Sequence, residues 1–444
     1  MTERSLGFDT RKVRAGYDPA EHNYAISPPI YQTTAYDFKD VEYAQKLFAF
    51  EVAGNLYTRV GNPTVAVFEQ RMAELDGAAG AIALGSGMAA ISYTLLNLAE
   101  DGGRILSSPY LYGGSIDSFK KLYPKFGVHI DYAEHIHDPE KLDKEIRPDT
   151  KTIFIESISN PSASLLDLRA IADVAHRHGI PLVVDNTVAT PYLLRPIEHG
   201  ADLVVYSATK GLSGHGNIIA GLVLESGAFD WGTEKFPHFA EKHYTLRDHA
   251  TGEYRSYLEV FPDAPFTTRI RFHYLNYFGA ALGPFDAYLA LIGIETLSER
   301  IAKQVSTAGK IAAWLDSRKD YVEWVRHPSL PDSPYHALAE KYFPNGAGGI
   351  LAFGFKGDEA QRERFLNAVE LLNYHVNIGD ARTLIVDSPN NTHGELEPSE
   401  KDRADVPENL IRISAGLEDP QDLIDDLNRA FAASEDSGGP RDKS

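Results

Sequence analysis

Asp202-Leu-Val-Val-Tyr-Ser-Ala-Thr-Lys-Gly-Leu-Ser-Gly-His-Gly-Asn-Ile-Ile-Ala-Gly221 is the stretch on which the fold is decided. The apolar run Leu203 to Tyr206 predicts a short buried strand. It ends in Ser207 and Thr209, followed at once by Lys210, and glycines stand at 211, 214 and 216. A second apolar strand is expected over Ile218 to Leu224. A lysine at the end of a buried strand is costly as an ammonium, because desolvation disfavours the charged form. The same cost is useful if the amine must be a nucleophile toward a carbonyl. The neighbouring hydroxyls can hold a phosphate, and the glycines let backbone approach a bulky group. Read alone, the stretch fits a surface lysine in a glycine-rich turn equally well.

Upstream, Ile180-Pro-Leu-Val-Val-Asp-Asn-Thr187 predicts another buried strand, ending on Asp185. A carboxylate aimed at a pyridine nitrogen keeps that nitrogen protonated and the ring electron-withdrawing. Lysine and aspartate in these roles are the signature of pyridoxal phosphate (PLP) chemistry. The alternative for Asp185 is a turn cap after a strand.

Asp202 to Gly216 resembles the lysine signature of the Cys/Met-metabolism family of PLP enzymes. That signature has an acid, an apolar residue, three free positions, two small residues and Thr-Lys. A bulky residue, an apolar one, any residue and Gly-His complete it. Gly211 stands where the family usually carries a large side chain, so the packing behind Lys210 is the point of departure.

The chain has 444 residues, 43% of them hydrophobic, enough for more than one domain. Its formal net charge of −20 argues against nucleic acid as a partner. There is no cysteine, hence no disulfide framework and no thiol catalysis. No leader-like or membrane-spanning run is apparent, and the expected location is the cytoplasm. His135, His137, His176 and His178 form no ligand pattern, and no metal is expected.

Other candidate residues appear along the chain. Tyr57 and Arg59, just before Asn62-Pro-Thr64, face the same way on an extended segment. A helix is expected over Val65 to Asp76. Ala81-Ile-Ala-Leu-Gly-Ser-Gly-Met-Ala-Ala90 reads as strand, glycine turn and helix. It has the look of a dinucleotide fingerprint, but Arg104-Ile-Leu-Ser-Ser-Pro109 supplies no acid at the end of the next strand. Amides of Gly87 and Met88 at a helix start suit any phosphate. Tyr112 precedes a glycine pair, where a ring can stack on a planar group. Further strands are expected over Val128 to Tyr132 and Thr152 to Glu156, the latter running into Asn160-Pro161, and a helix over Leu168 to His178. Strands alternating with helices from Ala81 to Leu224 specify a mostly parallel sheet, with ligands bound at the strands' carboxyl ends. Arg412, inside the apolar run Leu410 to Ser414, calls for an anion.

Several roles follow only from the resemblance, which extends from about Ser5 to Ala432. It implies that Tyr57 and Arg59 reach a neighbouring subunit's cofactor phosphate and that Tyr112 stacks on the ring. Asn160 would bond the ring hydroxyl, Arg412 would hold the substrate α-carboxylate, and Asn377 would be its companion. The aromatic-rich insertion before Ala281-Leu-Gly-Pro-Phe-Asp-Ala287, and Gly293-Ile-Glu-Thr-Leu297, resemble the O-acetylhomoserine sulfhydrylase branch.

The fold expected is therefore α/β, a fold-type I PLP transferase with a large, mostly parallel-sheet domain and a smaller C-terminal α+β domain. The divisions are an arm (1–60), the cofactor-binding domain (61–283, with the insertion 226–279 as a surface excursion), the C-terminal domain (284–433) and a disordered tail (434–444). A single helix is expected from Pro284 to Leu315. The expected catalytic residues are Lys210, Tyr112 and Asp185. Gly87, Met88, Asn160, Ser207, Thr209, Tyr57 and Arg59 join them in binding PLP, and Arg412 and Asn377 bind substrate. The activity implied is γ-replacement on O-acetyl-L-homoserine with sulfide or a thiol, in a homotetramer built from dimers with shared sites. Alternatives are a γ-lyase or cystathionine enzyme of the same family, or a dinucleotide oxidoreductase. The leaving group and sulfur donor stay open.

Overall fold

A computed structural model of the chain describes residues 6–435. Seven strands form the main sheet: β1 (Gly80–Leu84), β2 (Gly103–Ser107), β3 (Val128–Tyr132), β4 (Thr150–Glu156), β5 (Leu182–Asp185), β6 (Leu203–Ser207) and β7 (Gly221–Glu225). Their order across the sheet is β1-β7-β6-β5-β4-β2-β3, and β7 alone runs against its neighbours. The central strands read as unbroken apolar runs because helices cover both faces. Along β5, Val183 packs to one side, while Leu182 and Val184 pack to the other.

The helices are delimited by local chemistry. Pro63–Asp76 starts on Asn62, whose side chain accepts from the Thr64 amide, and stops at Gly77 with φ 75°. Leu168–Arg177 starts on Asp167, whose carboxylate accepts from the Ala170 amide. The expected strand over Ile218 to Leu224 begins only at Gly221. A Cβ there would stand 2.0 Å from the Ser86 carbonyl, so β7 starts where its backbone presses on the glycine turn.

The expected single helix from Pro284 is two helices, Pro284–Glu295 and Leu297–Asp316, broken at Thr296. At the break the Gly293 carbonyl accepts from the Arg300 guanidinium at 2.6 Å as well as from the Thr296 amide at 3.3 Å. The second sheet has strands β10 (Val322–Arg326), β11 (Ile350–Phe355), β12 (Asn373–Tyr374), β13 (Leu384–Asp387) and β14 (Leu410–Ser414), ordered β10-β11-β14-β13-β12. The C-terminal helix runs from Pro420 to Glu435, past the expected start of the tail at 434, and residues 436–444 lie outside the described residues.

The insertion is more than a surface excursion. It contains the hairpin β8 (His243–Arg247) and β9 (Tyr254–Arg255). Trp231, Phe236, Phe239, Tyr257 and Phe266 are buried in the chain's own core with residues of β1, β7 and the Gly87–Leu98 helix. Burial of each such ring contributes about 2–3 kcal/mol, which explains the aromatic richness without a partner. The arm carries short helices, Phe8–Arg14 and Val41–Phe48, yet leaves Tyr24, Ile26 and Val41 at least three-quarters exposed.

Candidate active site

Lys210 sits three residues beyond β6, with its amide bonded to the Ser207 carbonyl in a tight turn. Its Nζ donates to Asn377 Oδ1 at 2.7 Å, and no carboxylate of the described residues pairs with it. Burial, reinforced by the Arg412 charge, lowers the amine to about 8. The packing behind Lys210, in question because of Gly211, is supplied by Arg300. Its guanidinium donates to the Gly211 and Leu212 carbonyls, at 2.9 and 3.1 Å, from the helix across the loop. A Cβ at Gly214 would lie 1.9 Å from Arg300 Nη1, so that glycine is what admits the arginine. Beside the loop is a cavity of about 20 Å³, lined by residues including Lys210, Gly211, Gln304 and Ser414.

At the end of β5, Asp185 Oδ1 accepts from the Thr187 amide at 2.9 Å. Its register partner on β4 is Glu156, a second acid at the same level. Burial raises Asp185 to about 6; burial and the Asp185 charge also raise Glu156, opposed by the Tyr112 and Asn160 amides that bond its carboxylate. Two carboxylates with no lysine or arginine between them form a place for a cation.

The Gly87–Leu98 helix opens with its N-terminus against the end of β6. Its cap, Ser86, accepts from the Ala89 amide, leaving the Gly87 and Met88 amides without intrahelical acceptors. A Cβ at Gly87 would lie 2.6 Å from the Cβ of Ser207 and 2.9 Å from its hydroxyl, so both meet at one point. Thr209 lies in the same turn, between Ser207 and Lys210. Its hydroxyl is engaged on Ala220, accepting from the amide at 2.9 Å and donating to the carbonyl at 3.3 Å.

Arg412, on β14, is fully buried. It donates to Asn160 Oδ1 at 2.9 Å and to the Asn377 carbonyl at 2.7 Å, while its Nε has no partner. Asn377 therefore touches both Lys210 and Arg412, joining the β6 loop to the second sheet. Tyr112 caps the Gly113–Lys121 helix with its ring partly exposed, and Arg412 lies within electrostatic reach of the phenol. Tyr57 and Arg59 are not brought to this place. The Arg59 guanidinium lies 5.2 Å from the Tyr57 ring centroid, and no hydrogen bond links either side chain to Lys210, Ser207 or Gly87. Of the four histidines at 135, 137, 176 and 178, His135 pairs with Glu145, His176 with Asp202 and His178 with Asp143, while His137 lies against the Tyr110 and Tyr335 rings.

The donor set fits pyridoxal phosphate. Free amides and a hydroxyl meet at a helix start, a buried amine lacks a counter-ion, two acids lack a cation, and an arginine keeps one nitrogen unpaired. Sequence reading missed Glu156 and Arg300. The only signal for Glu156 was an acid closing an apolar strand, and Arg300 gave none.

The profile of the Cys/Met metabolism PLP-dependent enzymes matches residues 9–432. The chain is 38% identical to an O-acetyl-L-homoserine sulfhydrylase of Thermus thermophilus over 96% of its own length and 100% of the relative's. It is 38% identical to a homocysteine synthase of Schizosaccharomyces pombe, over 97% and 99%. Among solved structures, an O-acetylhomoserine (thiol)-lyase of Campylobacter jejuni superposes with a TM-score of 0.90 at 35% identity. The match covers 96% of this chain and 100% of that one, which was solved with N'-pyridoxyl-lysine-5'-monophosphate.

Proposed function

We propose that this chain, which belongs to the Cys/Met metabolism PLP-dependent enzyme family, catalyses γ-replacement on O-acetyl-L-homoserine. Sulfide or a thiol displaces acetate, giving homocysteine or methionine. The observation that carries the reading is the convergence of Lys210 and Arg412 on Asn377. A lone amine and a buried guanidinium on one residue support a proton carrier beside a carboxylate grip. Full-length similarity to a sulfhydrylase and a homocysteine synthase supports the choice of substrate.

The Gly87 and Met88 amides and the Ser207 hydroxyl would hold the cofactor phosphate, with Tyr112 against the ring, Asp185 toward its nitrogen and Asn160 toward its hydroxyl. When bound, the cofactor supplies an electron-withdrawing ring that stabilises negative charge released from the substrate carbons. Lys210 would hold the cofactor through its aldehyde carbon, and its amine is the group that would move protons at the substrate Cα and Cβ. Its amine, lowered to about 8, carries a useful neutral fraction near neutral pH. Arg412 would grip the α-carboxylate and so orient the substrate in the site. A product assay tests the reading. Homocysteine should form from the acetyl ester and sulfide, in preference to the succinyl and phospho esters. Keto acid and ammonia released regardless of sulfide would overturn it in favour of a lyase.

The lowered amine predicts a pH profile. Nucleophilic recapture of the cofactor aldehyde by stripped protein requires neutral Lys210. Its rate should rise about tenfold per pH unit up to about 8 and then level. A rise continuing to pH 10 would place the amine in water.

We further propose a cytoplasmic homotetramer of dimers in which Tyr57 and Arg59 complete the partner's phosphate site. The exposed apolar arm supports this, as does Arg59, whose guanidinium meets the Tyr57 ring and no carboxylate of the described residues. An arginine–phosphate contact is worth roughly 1.5–3 kcal/mol, so Arg59→Ala should weaken cofactor retention by about one to two orders of magnitude. Mixing Arg59→Ala with Lys210→Ala subunits should then restore up to about half the wild-type activity per hybrid dimer, since one site carries both lesions and the other none. Hybrids no more active than their parents would rule out the shared site.

A further inference from the structure

Glu156 is a buried acid that the mechanism above does not use. It closes β4 beside Asp185, and both of its oxygens are occupied by main-chain donors. Oε1 accepts from the Tyr112 amide at 2.7 Å, and Oε2 accepts from the Asn160 amide at 3.0 Å. One carboxylate thus spans two turns that come from different strands. The first turn presents the Tyr112 ring, and the second presents the Asn160 side chain. Asn160 in turn accepts from Arg412 at 2.9 Å.

A purely structural demand for two acceptors could be met by a carbonyl or a neutral side chain. A second carboxylate next to Asp185 adds desolvation and like-charge repulsion at the floor of the site. Costs of this kind concentrate where geometry serves chemistry. A carboxylate meets this need because it offers two equivalent acceptors at a fixed separation, with stronger bonds than a neutral group.

We propose that Glu156 is a positioning residue for the reaction: it fixes the Tyr112 turn against the Asn160 turn and, through Asn160, sets the placement of the Arg412 guanidinium. Ring stacking and the carboxylate grip are then adjusted by one side chain that touches neither substrate nor cofactor. The inference rests on the PLP-dependent reading of the site, but not on which acyl amino acid is the substrate.

The test compares Glu156→Gln and Glu156→Ala holoenzymes with wild type. Glutamine keeps the shape but has a single acceptor oxygen, so one of the two amides faces an NH2 group. The visible circular dichroism per bound cofactor, which reports ring orientation, should change in both variants. The value of kcat should fall by roughly 10–100-fold, the scale of displacing reacting groups by up to an ångström. KM for the amino-acid substrate should rise through Arg412, with alanine more affected than glutamine. The melting temperature of the glutamine variant should stay close to wild type.

Unchanged dichroism and kcat in a folded variant would overturn the proposal. So would a glutamine variant that melts far below wild type with normal dichroism and kcat, or that fails to fold, since either marks a purely structural carboxylate. Failure of the PLP-dependent reading would look different: wild type itself would gain no visible dichroism with cofactor.

Discussion

Lys210→Ala is expected to abolish turnover and the visible absorbance of lysine-bound cofactor while leaving the fold intact. Proton transfer by a positioned side chain is worth roughly 10²–10⁴-fold, and the variant also loses the amine that captures the aldehyde. A loss of at least about 10³-fold should follow. Stability should move little. The amine falls from 10.5 to about 8 on burial, so holding it charged at pH 7 costs roughly 3 kcal/mol, at about 1.4 kcal/mol per tenfold change. That penalty is present in full below pH 8 and lifts as the pH rises toward 10.5. At pH 7 alanine removes it but gives up the charge-assisted bond to Asn377, worth roughly 1.5–3 kcal/mol, and the packing of the lysine stem. The two offset, and the cofactor-free variant should melt close to the cofactor-free wild type at pH 7. Retained turnover with an unchanged spectrum would sink the assignment of Lys210.

The residues that could be read from sequence are those whose neighbours along the chain already made them improbable. Lys210 and Asp185 close apolar runs, and Arg412 interrupts one, so each carries its burial cost in its local context. The glycine turn at 85–87 was legible for the same reason, as backbone exposed at a helix start. What stayed hidden depends on partners distant in sequence. Arg300 looks like any helix arginine until the Gly211 loop folds against it, and its pull on the Gly293 carbonyl accompanies the break at Thr296. Glu156 passes for the polar end of a strand until the Tyr112 and Asn160 turns close on it. The aromatic insertion failed as a surface excursion because its rings follow no helical or strand period. They converge from separate loops around Trp231, where only the fold brings them together. The bonds of Thr209 to Ala220 belong to the same class, since they depend on the loop closing back on itself.

Asp185→Asn should separate function from fold more sharply still. Asparagine keeps the Oδ1 acceptor for the Thr187 amide and the shape of the strand end, and removes only the charge. Cofactor should still bind, since the helix start, Ser207, Tyr112 and Lys210 are untouched. Without the anion the ring nitrogen is no longer held protonated, and kcat should drop by roughly 10²–10³-fold, the scale of removing one preorganised electrostatic partner. The stability of the cofactor-free protein gives an independent check. Asp185 titrates near 6 in the fold, above the ordinary 3.8, so its ionised form costs stability. That cost is absent below pH 3.8, grows as the pH rises, and is complete above 6. Charged Asp185 also raises its neighbour Glu156. Asparagine should thus raise the melting temperature of the cofactor-free protein at pH 7 and leave it nearly unchanged at pH 4. A near-normal kcat would show that Asp185 is only a cap. A lower melting temperature at pH 7 would show instead that its charge is satisfied within the chain, leaving no cation for the carboxylate pair to await.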